Sequence, residues 1–160
     1  MKGYGELLKD DPAWAERAGA FAAKVRDVTE TLVELGTAQA PRHRLDLRIA
    51  YHDACHLAHA QGIREAPRRL LAAIPGLELV DLPESDVCCG AAGTYNLTQP
   101  ELAGTLGRRK IENVVATGAE IVVAANAGCL LQIGKEARQR SLAAWIAHPF
   151  DVLARAYGLW

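Results

Sequence analysis

The apolar residues Trp14, Ala18, Phe21, Val25, Val28, Leu32 and Leu35 recur at alternating steps of four and three. That spacing predicts one amphipathic helix over Pro12–Leu35. Asp11 is placed to cap it, Pro12 suits its first position and Gly36 suits its end. The stripe is narrow, includes Ala18 and spans barely three heptads. It therefore predicts a helix laid on a protein surface rather than a coiled coil. Residues 37–44, around Pro41, read as a polar linker.

The period then changes. Leu45, Leu47, Ile49 and Tyr51 alternate with Asp46, Arg48 and Ala50, which predicts a strand. A loop carrying His52 to His56 follows, then a helix over Pro67–Ile74 stopped by Pro75-Gly76. Leu77–Leu82 reads as a second strand. Thr98-Gln99-Pro100-Glu101 has the form of a capping box and opens a helix running to Thr117, ended by Gly118. Glu120–Ala125 is a continuous apolar run, as expected of a strand covered on both faces. Asn126–Cys129 is a loop leading into a helix that reaches Arg140. A short strand near Ala143–Ala147 and a terminal helix started by His148-Pro149 complete the chain.

Strand and helix alternate, so the fold class is α/β. The expected architecture is an open, mainly parallel, Rossmann-like sheet of about four strands with helices on both faces, preceded by the N-terminal helix. We divide the chain into a helical segment and linker, residues 1–40, and an α/β unit, residues 41–160.

Composition narrows the function classes. Of 160 residues half are hydrophobic, and the formal charge is −1, so neither disorder nor a polyanion-binding surface is indicated. The clusters Arg42-His43-Arg44, Arg68-Arg69 and Arg108-Arg109-Lys110 lack interleaved aromatics and read as solvated helix faces, not as a nucleic-acid surface. Ile121–Ile133 is too short for a membrane span and is interrupted by Asn126 and Gln132. Met1 to Glu6 precede no apolar run, so no signal peptide is expected. Four cysteines are too few for a secreted disulfide scaffold. The expected location is the cytoplasm, at most peripheral to the inner membrane face through partners, where clustered thiols favour metal or redox chemistry.

The cysteines carry the candidate chemistry. Cys88 and Cys89 are adjacent and precede Gly90 and Gly93. One core rarely uses two neighbouring thiols, and a vicinal disulfide is strained, whereas each can hold a different metal atom of a polynuclear centre. Gly90 and Gly93 allow tight turns and close backbone approach to a ligand, and the N–H groups opening the next helix are expected to face an anionic centre. Cys55, the Cys88–Cys89 pair and Cys129 each lie just past a strand end. In an open parallel sheet those loops share the edge where ligands bind, so the four thiols are expected at one site.

Thirty-two residues separate Cys55 from Cys88 and thirty-nine separate Cys89 from Cys129. With Tyr51-His52-Asp53-Ala54-Cys55-His56, Leu57 to Gly62, Cys88 to Asn96, Gly128 to Gln132 and His148-Pro149, the chain resembles the cysteine-rich CCG domain family. The likeness is to heterodisulfide reductase subunits and to the iron-sulfur subunits of lactate- and glycolate-oxidising complexes, glycolate oxidase most of all. The resemblance implies electron transfer from a flavin-containing catalytic subunit toward a respiratory acceptor, with no activity in this chain alone. It also implies that Cys55, Cys88, Cys89 and Cys129 ligate an iron-sulfur cluster of the 4Fe-4S type. Relatives have a second cysteine where this chain has Gln132, so a cluster needing five thiolates is not supported. Family proteins also carry a ferredoxin-like part and a first CCG repeat, which are expected here in cis or in trans, this chain resembling a second repeat.

Three rivals stand beside this reading. A Cys₄ zinc site uses the same thiols, but vicinal cysteines suit it poorly. A Cys88–Cys89 thiol switch and a non-metal docking module with buried cysteines are the others. His52, His56 and His59 flank Cys55; a place around the metal is expected for His52 and His56 rather than direct ligation. His148 is explained by capping. No phosphate-binding loop, dinucleotide fingerprint or Ser/His/Asp arrangement is present.

Overall fold

The computed structural model describes residues 1–36 and 43–159. Most of the expected linker, residues 37–42, lies outside the described residues. The strands β1 (Arg48–His52), β2 (Glu78–Val80), β3 (Ile121–Ala124) and β4 (Trp145–Ala147) form one open sheet in the order β2-β1-β3-β4. All pairings are parallel, with Ile49 opposite both Leu79 and Ile121, and His52 opposite Ala124 at the last rung.

The helices following the strands are α4 (Cys55–Ala58), α5 (Glu65–Ala72), α6 (Tyr95–Thr98), α7 (Pro100–Thr117), α8 (Ala127–Gln139) and α9 (Pro149–Ala156). They cover both sheet faces, as expected. Ile49, Tyr51, Ile121 and Val123 point to the face packed by Leu70, Leu71 and Ile74 of the α5 region and by Val152, Leu153 and Ala156 of α9. Ala50, Val122 and Ala124 point to the other face, packed by Ile111 and Val114 of α7 and Ile133 and Ala137 of α8. Fully burying a leucine or isoleucine such as Leu71 or Ile49, each 0% exposed, contributes about 2 kcal/mol.

The alternation read at Leu45–Tyr51 marks only one face. In β1 Ala50 and His52 are as buried as Ile49 and Tyr51, because the strand is central and has helices above and below. Since β1 leads to α5 on one face and β3 to α8 on the other, their C-terminal ends form the point where the chain diverges. In such sheets that crevice takes the ligand.

The N-terminal expectation is corrected. The region holds three helices, α1 (Tyr4–Leu7), α2 (Ala15–Lys24) and α3 (Val28–Glu34), not one over Pro12–Leu35. Asp11 does accept from the Ala13 and Trp14 N–H groups at 2.8 and 3.2 Å, but in a turn ahead of α2. The break comes from a second start signal, Asp27-Val28-Thr29-Glu30. Asp27 accepts from the Thr29 N–H at 2.9 Å and Glu30 accepts from the Asp27 N–H at 3.0 Å, a complete capping box. It turns α3 back onto the domain, where Leu32 and Val33 join the α5/α9 core. Gly36 ends the segment with φ +66°, as its position predicted.

The expected capping box at Thr98–Glu101 does not form. Thr98 closes α6, its hydroxyl donating to the Tyr95 carbonyl at 3.4 Å, and α7 begins on Pro100 without a side-chain cap. His148 behaves as expected, its Nδ1 accepting from the Phe150 N–H at 3.3 Å at the start of α9.

Candidate metal centre

Each cysteine is delivered by a strand end. Cys55 is the first residue of α4, two residues after the Asp53 that follows β1. Cys88 and Cys89 occupy the long loop between β2 and α6. Cys129 lies in the first turn of α8, where the Asn126 side chain caps the helix by accepting from the Cys129 N–H at 3.2 Å. The four cysteines line one cavity of about 290 Å³, together with His56, Gly93 and Gly128. Cys89 and Cys129 are buried at 1% and 4% exposure, while Cys55 and Cys88 stand half-buried. Two helix starts line the cavity, Cys55 and His56 of α4 and Gly128 and Cys129 of α8, whereas the helix after Gly93 contributes no lining residue.

Polar contacts fix the loops. Asp53, 3% exposed, receives two hydrogen bonds from the Arg68 guanidinium at 2.6 and 2.7 Å and one from the Ser85 hydroxyl at 2.8 Å. The Arg68 guanidinium also lies 4.7 Å from the Tyr51 ring centroid. On the far side of the β2 loop, Lys110 Nζ donates to the Glu84 carbonyl, and Arg109 and Asn113 hold the Glu84 carboxylate. Reading these basic residues as solvated fails for Lys110, which is buried, and for Arg68, which is half-buried and bonded to the loop scaffold. Burial opposes the charge on Asp53, but Arg68 and Ser85 outweigh it and hold the carboxyl below its usual range.

The two glycines have different tasks. Gly90 has φ +94°, and a Cβ there would run into the Ala103 carbonyl of α7, so it serves the packing of the loop on that helix rather than the cavity. Its N–H donates to Cys88 Sγ at 3.4 Å. Gly93 has φ +67° and lines the cavity, with open space where a Cβ would stand.

Gln132 is 2% exposed and takes no part in the cavity wall. Its amide donates to the Ala103 carbonyl at 3.2 Å, tying α8 to α7 behind the cysteines. Among the histidines, His56 lines the cavity. His59 lies outside it, with Nε2 within 3.1 Å of the Asp86 carbonyl and Nδ1 within 3.2 Å of Arg64. His52 is fully buried and does not line the cavity, but one of its ring nitrogens, Cys89 Sγ and Cys129 Sγ all lie within 4.8 Å of one another. Among the described residues neither ring nitrogen has a hydrogen-bond partner.

The thiols differ in charge preference. Contact with the Cys129 thiol, and then the nearby His52 ring, holds Cys89 well below the ordinary thiol range and outweighs burial. The same contact pushes Cys129 up. Burial pushes Cys88 up, against the Gly90 N–H. This gradient favours a first thiolate at the floor, and a multiply charged cation is the species that brings out the rest.

Residues 49–134 match the model of the cysteine-rich domain family designated CCG. The chain belongs to the CCG family. The CCG domain described here is 35% identical over 153 residues to lactate utilization protein A of Lysinibacillus sphaericus, covering 96% of this chain and 67% of that protein. It is 38% identical over 163 residues to the probable glycolate oxidase iron-sulfur subunit of Bacillus subtilis, covering 97% of this chain and 36% of that protein. Lactate utilization protein A of Halalkalibacterium halodurans is 31% identical over 150 residues, 62% of its length. The chain thus spans about a third of the glycolate oxidase subunit and about two thirds of the lactate utilization proteins.

Proposed function

We propose that this chain is an iron-sulfur electron-transfer element of a flavin-dependent 2-hydroxy-acid oxidising complex. The observation that carries the proposal is that four thiols, from loops far apart in sequence, line one cavity at the sheet's divergence point. The names of the relatives, a glycolate oxidase iron-sulfur subunit and lactate utilization proteins, support the choice of group and substrate class.

Cys55, Cys88, Cys89 and Cys129 are the proposed ligands. The donor set fits: four thiolates complete a 4Fe-4S cluster, and Gln132, bonded to α7, offers no fifth ligand. When bound, such a cluster stores and releases one electron. The chain's own part is to hold the thiols at fixed spacing, exclude water at the floor through Cys89, Cys129 and the α7/α8 core, and leave the mouth open beside Cys55 and Cys88. The partner's redox group is expected to approach at that mouth. Residues 41–160 are taken as the CCG unit and 1–40 as an appended helical segment. The relatives' remaining length is expected to supply a ferredoxin-like part and another CCG repeat, in cis or in trans.

A second reading rests on His52, Cys89 and Cys129, whose donor atoms can converge on one zinc ion. It leaves the cavity-lining Cys55 and Cys88 without a task. Among the described residues no helix is long and apolar enough to cross a membrane. The reduced thiols that either metal needs suit the cytoplasm.

The test uses anaerobically prepared protein with an added flavoprotein 2-hydroxy-acid dehydrogenase. Lactate or glycolate should bleach the visible absorption of this chain only when the flavoprotein is present. Oxidation of either acid by this chain alone, or a chromophore that the flavoprotein never reduces, would overturn the proposal.

A further inference from the structure

His52 presents an unresolved cost. It is fully buried at the last rung of β1, and neither Nδ1 nor Nε2 has a hydrogen-bond partner. A neutral imidazole always carries one N–H donor and one acceptor. Leaving such groups buried and unpaired is destabilising, whereas an apolar side chain of similar size at this place would be neutral or better. One ring nitrogen nonetheless lies within 4.8 Å of both the Cys89 and the Cys129 sulfurs.

Two roles near a metal are open to such a ring, and the geometry separates them. The cavity wall is made by the cysteines, His56 and loop backbone, and His52 is not part of it. It is the last residue of β1 and fully buried, whereas Cys89 and Cys129 both line the cavity. A ring that close to both sulfurs but absent from the cavity wall is placed to meet the sulfurs rather than the cavity's contents.

We propose that His52 is a positioning residue that donates its ring N–H to a thiolate sulfur of the Cys89–Cys129 pair once these bind the cluster, raising the cluster's reduction potential. This rests on the iron-sulfur reading above. Thiol sulfur is a weak acceptor, and thiolate sulfur accepts a hydrogen bond more strongly because it is charged. Hydrogen bonds to cluster sulfurs draw off negative charge and favour the reduced state, one of the means by which proteins set cluster potentials. The orphaned donor is therefore explained as a group whose partner is the metal-bound thiolate.

The test compares wild type with His52→Leu and His52→Gln by iron and sulfide content, by midpoint potential from a redox titration followed by electron paramagnetic resonance, and by melting of the metal-free chain. His52→Leu should retain iron and sulfide but shift the midpoint to more negative values. His52→Gln, which restores an N–H donor, should recover much of the shift. Metal-free His52→Leu should melt no lower than wild type. An unchanged midpoint in iron-loaded His52→Leu would overturn the inference and leave the iron-sulfur reading standing. Iron loss in His52→Leu as severe as in Cys129→Ser would overturn it in favour of direct ligation. Wild type that binds zinc instead of iron would overturn both the inference and the reading beneath it.

Discussion

Asp53 and Ser85 are bonded twice: the Asp53 N–H donates to the Ser85 carbonyl at 2.9 Å, and the Ser85 hydroxyl donates to an Asp53 carboxylate oxygen at 2.8 Å. The pair joins the loop that delivers Cys55 to the loop that delivers Cys88 and Cys89, and Arg68 completes it from α5. The proposed metal site would thus depend on a residue that need not touch the metal.

Removing that carboxylate strands the Arg68 charge and frees the loop. Asp53→Ala should lower stability by about 2 kcal/mol, as expected for losing charge-assisted hydrogen bonds to a half-buried Arg68, measured by urea unfolding. Because the native Asp53 carboxyl lies below its usual range, its contribution is complete above the ordinary Asp value near 4. That contribution is lost as pH falls through the lower native value. The wild-type minus Asp53→Ala difference should therefore be flat from pH 7 to about 5 and shrink below about 4. A difference that grows on acidification contradicts the assignment.

Gln132 tests which residues bind metal. Gln132→Ala removes the bond to the Ala103 carbonyl and leaves a small void between α7 and α8, which should cost about 2 kcal/mol. Iron content should stay near wild type, whereas Cys129→Ser should lower it severely. Equal iron loss from both changes contradicts the ligand set.

The two glycines should part company. Gly93→Ala places a Cβ in open space at φ +67°, so its cost is the left-handed backbone alone, about 1 kcal/mol. Gly90→Ala adds a collision with the Ala103 carbonyl at φ +94°, and should destabilise by several-fold more. Similar melting temperatures for the two variants would contradict the close packing of the cysteine loop on α7.

Sheet topology, and the arrival of all the cysteines at one edge, were legible in the sequence because strand–helix alternation is a local signal and the parallel edge follows from it. Ile121–Ala124 read as a fully covered strand and is one. Leu45–Tyr51 read as an alternating strand with His52 in the loop beyond it, because Arg48 and the small Ala50 mask the second buried face of a strand that runs from Arg48 to His52. The single N-terminal helix failed because a regular apolar spacing outweighed the Asp27–Glu30 start signal lying within it. The structural uses of Arg68, Lys110 and Gln132 were not legible, since each depends on a partner brought close only by the fold.

The N-terminal helices bear on association. Leu32 and Val33 of α3 pack on the α5/α9 core, but Trp14, Phe21 and Val28 remain 50%, 45% and 50% exposed, with Phe21 stacked on Tyr4 at 6.1 Å. Exposed apolar side chains at these short N-terminal helices offer surface for association. In sedimentation equilibrium the average mass should rise with concentration, and Phe21→Glu should reduce the rise without changing the sheet's melting. A monomer at all concentrations contradicts this.

The most direct test of the central claim is elemental: iron, acid-labile sulfide and zinc measured on anaerobically prepared protein, beside a variant with Cys55, Cys88, Cys89 and Cys129 all changed to Ser. The account predicts brown wild type with iron and sulfide in near-equal amounts, and a colourless variant without either. Colourless wild type carrying zinc, or iron retained by the variant, would contradict it.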